Sequence, residues 1–194
     1  MSMLPRLKPR CFYDLVVEVA LVRPGPIQGG MVHPYLRRRS GDEPVTYAHP
    51  SLAPILERTL GVPLFQEQVM AIAQKLAGYT LAQADLLRRA MGKKKKEELD
   101  IQFETFREGM RRNGFSDQSV QALWEVLVPF SDYAFNKAHS AAYGMISYWT
   151  AYLKAHYPAE YMAALISSVM STKDKVPFFV ARCEEMGIEI LPPD

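Results

Sequence analysis

Cysteine is almost missing from this sequence, with only Cys11 and Cys183 among 194 residues. Two cysteines are too few for the disulfide framework of a small secreted domain, and they share no metal-ligand spacing. The four histidines form no HxH or HxxxH pair, which argues against a zinc site. The sequence also lacks an Asp-x-Asp pair for two Mg²⁺ ions and the Gly-x-Ser-x-Gly motif of a hydrolase. These patterns therefore give no evidence of a catalytic centre.

Long apolar runs are missing as well. The longest charge-free stretch with a helical pattern, residues 140–153, has 14 residues, whereas a membrane span needs about 20. The start of the chain shows no basic segment followed by an apolar one, which is the pattern of a secretory signal. We therefore predict no membrane contact and a cytoplasmic location.

Apolar side chains make up 48% of the chain and charged residues 23%. This composition predicts a globular protein with a real core. The net charge of +2 hides an asymmetry, because residues 1–96 hold 15 Lys and Arg against 7 Asp and Glu, whereas residues 97–194 hold 8 against 14. A basic half of this kind can bind a polyanion such as nucleic acid, although an ordinary solvated surface is the commoner explanation.

Helical periodicity dominates the chain from residue 51 onward. Residues 1–50 predict one helix, 12–22, and then a tight loop at 23–30, because two prolines and three glycines cannot continue a helix. The last residues alternate like a short strand. We therefore predict a mainly α fold with a Pro/Gly-rich N-terminal segment and a short C-terminal strand. Further helices are predicted at about 51–60, 65–77, 80–91, 99–113, 116–128, 136–156, 159–170 and 174–186.

The strongest local feature is the basic segment 84–96. At about 100° per residue, one side of a helix there would carry Asp85, Arg88, Arg89, Gly92, Lys93 and Lys96. The opposite, apolar side would carry Ala84, Leu87 and Met91. Arginine offers a planar fork of donors to phosphate oxygens and lysine a compact charge, so the stripe suits a triphosphate or a nucleic-acid backbone. A solvated face is the alternative for a charge run alone, and a Walker A loop is excluded by the missing glycine.

A second candidate anion site lies in the segment 133–143. If Asn136 is the N-cap of a helix, Lys137 and His139 occupy the first turn, with Ser140 beside them. Free backbone N–H groups and the helix dipole favour an anion at that position. A plain capped helix with a satisfied histidine is an equal alternative.

Two further groups are weaker candidates. Arg37, Arg38 and Arg39 form a triplet that could contact phosphates, although a bare arginine triplet is most often exposed surface. Gln66 could place a polar group near a ligand, but an exposed helix start explains it equally well.

Five blocks of residues then identify a family. The blocks 23–26, 65–70, 84–95, 135–143 and 152–158 closely resemble, in this order, the alpha subunit of bacterial DNA polymerase III, the C-family replicative polymerase. Each block alone would be weak, but five in register make the resemblance specific over essentially the whole chain. Parts of 23–39 and 58–65 are similar to the error-prone branch of that family, whereas 90–96 and 135–137 are similar to the replicative branch.

The resemblance implies the end of the palm and most of the helical fingers domain of a DNA-directed DNA polymerase, a nucleotidyltransferase of DNA replication. It implies a palm–fingers junction at 1–50, the fingers at 51–187 and the start of a following segment at 188–194. Residues matching the family's dNTP-binding motifs are Arg88, Arg89, Lys93, Lys137, His139 and Ser140. Junction residues, with possible nucleotide or DNA contacts, are Arg23, Gln66, Arg37, Arg38 and Arg39.

The family's palm aspartates, which hold Mg²⁺, have no match in this chain. The resemblance therefore implies that Mg²⁺ acts only in the full-length parent, and that the chain alone binds no metal and does not polymerise DNA. Its implied partners are the dNTP, primer–template DNA, the remainder of the alpha subunit and, through that subunit, the sliding clamp and replisome. The alternative is a non-catalytic helical module that binds nucleic acid and derives from the same fold.

Overall fold

The structure is a computed structural model that describes residues 3–28, 30, 32–93, 96–131, 134–172 and 174–191. Within these ranges the chain forms twelve α-helices and no strand, apart from one isolated parallel bridge. The helices are α1 (Leu4–Leu7), α2 (Phe12–Leu21), α3 (Pro24–Gln28), α4 (Val32–Ser40), α5 (Ala53–Leu56), α6 (Gln66–Ala77), α7 (Leu81–Lys93), α8 (Lys96–Arg112), α9 (Asp117–Ser131), α10 (Lys137–His156), α11 (Pro158–Val169) and α12 (Lys175–Glu185). Two 3₁₀ turns, Pro50–Leu52 and Glu57–Thr59, flank α5. The predicted mainly α fold is confirmed.

The chain divides into two compact units, Met1–Gly144 and Met145–Asp194. The first unit holds two hydrophobic cores. In the second unit, α11 packs against α12, and Met162 and Cys183 are buried. Among the helices in the described ranges, none is both long and apolar enough to cross a bilayer.

The larger core of the first unit lies between α6, α7, α8 and α9. Helix α7 contributes Ala84, Leu87 and Met91, which are buried as the periodicity predicted. Helix α8 approaches the end of α6 closely at Gly109, where a Cβ atom would lie 2.1 Å from the carbonyl oxygen of Ala77. Because α7 buries its apolar face in this core, its arginine-bearing face is left at the surface.

The smaller core joins α2 and α4 to the segment that precedes α6. Val17 and Leu21 of α2, Tyr35 of α4 and Phe65 are all buried in this cluster. Phe65 also forms the isolated parallel bridge with Phe135, just before α10 begins. The start of α10 is therefore attached to the start of α6.

Capping residues predicted from the sequence define the starts of two helices. Thr80 Oγ1 accepts a hydrogen bond from the Gln83 N–H at 3.3 Å before α7. Asn136 Oδ1 accepts one from the His139 N–H at 2.8 Å before α10. These side chains satisfy N–H groups that have no partner within the helix, as an N-cap should.

Two parts of the secondary-structure prediction are wrong. The predicted loop at 23–30 contains α3, because Pro24 and Pro26 lie in a first helical turn, where no backbone N–H is needed for the helix. The predicted strand is absent from residues 188–191, which have no regular structure. A strand needs a partner for its hydrogen-bond ladder, and the described residues offer none there.

Candidate functional site

The exposed face of α7 presents two arginines beside one aspartate. Arg88 donates to Asp85 Oδ1 from Nε at 2.8 Å and from Nη2 at 2.7 Å, and Arg89 Nε donates to Asp85 Oδ2 at 2.8 Å. The hydrogen bond from Arg88 lowers the pKa of the Asp85 carboxyl, and the charges of both arginines lower it further. Two guanidinium groups are thus held side by side by a single carboxylate. The side chain of Lys93, which was predicted to join them, lies outside the described part of the chain.

Gln66 connects this face of α7 to the start of α10. Arg88 Nη1 lies 3.5 Å from Gln66 Oε1. The Gln66 N–H donates to the carbonyl of Phe135 at 3.0 Å, and the Phe135 N–H donates to the carbonyl of Leu64 at 2.9 Å. The predicted site residues Arg88 and Gln66 therefore lie together, next to the residues that lead into α10.

A row of aromatic rings begins at this junction. Phe135 packs edge-on against His139, with ring centroids 5.1 Å apart, and His139 lies 4.5 Å from the ring of Tyr143. The Arg23 guanidinium carbon lies 4.0 Å from the centroid of Phe135. Arg23 and His139, both predicted from the sequence, are thus brought together by Phe135. Phe135 and Tyr143 are not among the predicted site residues, although the spacing of four between His139 and Tyr143 places these two rings on one face of α10.

The candidate anion site at the start of α10 is occupied by a carboxylate of the protein itself, that of Glu67. The Lys137 N–H donates to Glu67 Oε1 at 3.0 Å and lies 3.1 Å from Oε2, while Asn136 Nδ2 donates to Oε1 at 3.1 Å. A carboxylate there is favoured by the same helix dipole that would attract a phosphate. The prediction of free N–H groups at this helix start is therefore wrong, and Glu67 is the residue that the sequence did not reveal.

Ser140 does not line a pocket for a ligand. Its side chain is fully buried, and its Oγ donates to the carbonyl of Val16 in α2. The structure therefore gives Ser140 a packing contact between α10 and α2 in place of the predicted phosphate contact.

Lys137 and His139 point in different directions. The Lys137 Nζ lies 5.3 Å from the ring centroid of Tyr13, and Lys137 lines a cleft of about 260 Å³ together with Arg58 and Lys75. Residues two apart on a helix are separated by about 200°, so these side chains cannot share one face. The two side chains therefore contact different parts of the protein, Tyr13 for Lys137 and Phe135 with Tyr143 for His139.

The arginine triplet of α4 is bound within the fold. Arg37 pairs with Glu43 at 2.8 Å and keeps 53% of its side chain exposed. Arg38 donates from Nη1 to the carbonyl of Leu60 at 2.8 Å and from Nη2 to Thr46 Oγ1 at 3.1 Å. The donors of Arg38 therefore face protein acceptors.

Arg39 is engaged more completely. Its Nη1 and Nη2 donate to the two carboxylate oxygens of Asp14 at 2.9 and 2.7 Å, and its Nε and Nη2 donate to the carbonyls of Leu7 and Lys8. Burial alone would raise the pKa of Asp14, but hydrogen bonds from the Arg10 and Cys11 N–H groups and from Arg39 lower it. Arg39 thus has a structural role in place of the predicted contact.

The described residues bring together no group of three His, Cys, Asp or Glu side chains that could hold a metal ion. Asp85 and Glu67, the carboxylates that contact the site residues, are each engaged with protein donors. The donor set of this part of the chain therefore does not fit a divalent metal.

Comparison with known proteins identifies the family. The family model described as "Bacterial DNA polymerase III alpha subunit finger domain" matches residues 1–114. Over the whole chain, the sequence is 51% identical to DNA polymerase III subunit alpha of Mycobacterium tuberculosis (strain H37Rv), 52% to that of Saccharopolyspora erythraea and 50% to that of Escherichia coli (strain K12). The chain spans only 16–17% of the length of these relatives. It therefore belongs to the finger-domain family of the bacterial DNA polymerase III alpha subunit.

Proposed function

We propose that this chain supplies the surface of a DNA-directed DNA polymerase that binds the incoming dNTP. The observation that carries the proposal is the junction at Gln66. Its side chain lies 3.5 Å from the Arg88 guanidinium of α7, and its backbone N–H donates to Phe135, where the aromatic row begins. At that junction a cationic group, which can bind phosphates, lies next to aromatic groups, which can stack on a base.

Arg88 and Arg89 are the proposed ligands of the triphosphate. Guanidinium groups donate pairs of hydrogen bonds to phosphate oxygens, and these bonds are stronger than those between neutral groups. Asp85 already holds both arginines, so less conformational freedom is lost when the anion binds. The charge that a triphosphate carries would then be stabilised by donors that are in place beforehand.

His139 and Tyr143 are the proposed contacts of the base or sugar. Tyr143 has 52% of its surface exposed and packs against the His139 ring, so flat aromatic surface on α10 is accessible to a ligand. Stacking on such rings is tolerant of base identity, as a polymerase that accepts all four dNTPs requires.

The partners proposed for the whole protein are primer–template DNA, the remainder of the alpha subunit and, through it, the sliding clamp and replisome, in the cytoplasm. Because the donor set of the described residues does not fit a divalent metal, we propose that Mg²⁺ is held by residues outside this chain. The chain's own contribution is to bind and orient the triphosphate.

The test is a titration of the chain with a deoxynucleoside triphosphate, followed by amide NMR shifts, for the native sequence and for Arg89→Ala. We expect saturable shifts around residues 85–92 and 135–143. The substitution should weaken binding about 10- to 100-fold, because it removes charged hydrogen bonds. Arg112→Ala, at the exposed end of α8, is the matched control and should leave the affinity unchanged.

A different result would favour the nucleic-acid-binding module. In that case DNA would bind with a steep dependence on salt, and the nucleotide would cause no shifts at the arginines. Equal affinities of Arg89→Ala and Arg112→Ala for the triphosphate would also contradict the proposed site.

A further inference from the structure

A second basic surface of the first unit lies far along the chain from Arg88 and Arg89. It is a cleft of about 210 Å³ next to the end of α1 and the end of α4. The residues that line it are Arg6, Leu7, Lys8, Arg10, Arg39 and Ser40. Four of these six side chains are cationic, and none is acidic.

Arg39 fixes the shape of this cleft. It ties the end of α1 to α4 through the carbonyls of Leu7 and Lys8, at 2.6 and 3.1 Å. Its own charge is balanced by Asp14, which also accepts from the Arg10 N–H at 2.6 Å. The backbone of residues 7–10 is therefore held in place by charged hydrogen bonds, which are among the stronger ones in proteins.

The other three cations have no such balance. Within the described residues, no carboxylate pairs with the side chains of Arg6, Lys8 or Arg10, and all three are exposed. Three like charges around one small cleft repel each other unless an anion lies between them. A phosphodiester backbone offers that anion repeatedly, and its contacts with Lys and Arg release counterions.

We propose that this cleft binds the phosphodiester backbone of DNA through Arg6, Lys8 and Arg10. Arg39 is the positioning residue, because it acts through the backbone carbonyls of Leu7 and Lys8 and its own donors are occupied. The contact is independent of base sequence, since phosphates carry no sequence information. It goes beyond the proposed dNTP site and stands whether or not that site binds nucleotide.

The experiment measures the binding of a fluorescein-labelled 20-base-pair duplex by anisotropy across a salt series, without nucleotide. The variant is Arg6→Gln with Lys8→Asn and Arg10→Gln. Asparagine is chosen because Lys8 has a φ of 47°, a left-handed conformation that asparagine tolerates. The matched control removes three exposed or half-exposed cations elsewhere, Arg112→Gln, Lys154→Gln and Lys175→Gln.

We expect the cleft variant to bind the duplex about tenfold more weakly at low salt. For this variant, the slope of log affinity against log salt concentration should become shallower by about 0.9 for each phosphate that is no longer neutralised by a cleft cation. The control should weaken much less. Equal reductions of affinity in the two variants would overturn the proposal, because the effect would then be one of net charge.

Free pyrophosphate is the competing ligand. A parallel titration with inorganic pyrophosphate separates the two: if the native chain binds pyrophosphate more tightly than the duplex at the same salt concentration, the DNA assignment is overturned. Circular dichroism checks folding. Should the triple variant fail to fold, the single variants Arg6→Gln and Arg10→Gln carry the same test, and each should leave about one phosphate without its cation.

Discussion

The arginines of α4 bond to residues outside their helix, whereas those of α7 bond to a residue of their own helix. Arg39 has 19% of its side chain exposed and gives its donors to Asp14 and two backbone carbonyls. Arg89 has 63% of its side chain exposed and contacts Asp85, a neighbour one turn away on the same helix. One guanidinium is thus part of the fold, whereas the other is held at the surface and oriented.

The difference shows that the partner of an arginine in the fold, rather than the charge of its neighbours in the sequence, indicates whether its side chain is available to a ligand. A triplet such as 37–39 has the higher local charge, but its partners come from α1, α2 and the loop after α4. The pair on α7 has a partner within its own helix, so its outer surface is left for a ligand. Substitutions in α4 should therefore alter stability, and substitutions in α7 should alter ligand affinity.

The largest expected effect is that of Arg39→Ala. The substitution leaves the nearly buried Asp14 carboxylate without its bidentate partner and should lower the free energy of unfolding by about 3 kcal/mol. Urea denaturation measures this value. Arg37→Ala removes only an exposed ion pair with Glu43, and we expect a decrease of about 0.5 kcal/mol or less. Similar decreases in the free energy of unfolding for the two variants would contradict the view that Arg39 is structural and Arg37 is not.

The contribution of Asp14 should depend on pH. Its pKa is lower in the folded protein than in the unfolded chain, so its stabilising effect is complete above the unfolded value, near about 4, and disappears as pH falls through the folded value. The native protein should exceed Asp14→Asn in unfolding free energy by about 2 kcal/mol at neutral pH. The gap should shrink progressively below about pH 4. A gap that stays constant down to about pH 2 would rule out the ion pair as its source.

The smallest expected effect sharpens the role of α7. Asp85→Asn removes the negative charge between Arg88 and Arg89, so a triphosphate should bind about two- to fivefold more tightly, with stability nearly unchanged. Isothermal titration calorimetry measures the affinity. Asp100→Asn, on the exposed surface of α8, controls for net charge. Weaker binding by Asp85→Asn would mean that holding the arginines in place matters more than their charge.

Local signals predicted the parts of the site that depend on a single helix. The apolar positions 84, 87 and 91 set the orientation of α7, and Thr80 and Asn136 set the starts of α7 and α10. Each of these features is determined by residues within one or two turns, so periodicity and capping chemistry suffice to find them.

Contacts between distant residues could not be found in this way. Ser140 bonds to Val16, which lies 124 positions earlier, and Arg39 bonds to Asp14, which lies 25 positions earlier. Both residues have the chemistry of a phosphate ligand, and only the tertiary fold decides that their donors face protein acceptors. The wrong loop at 23–30 has a local cause, because proline breaks a helix in its interior but is accepted in its first turn.

The contact of Glu67 with the start of α10 also bears on how the protein is made. Glu67 and Lys137 are separated by 70 positions, so closing this loop costs roughly 4 kcal/mol in chain entropy, apart from a constant contribution. During synthesis, α6 and α7 are complete well before residues 135–137 leave the ribosome. The arginine face can therefore form early, but the aromatic row can join it only after the chain has folded back on itself. The proposed nucleotide site is thus completed late in folding, by the last part of the first unit.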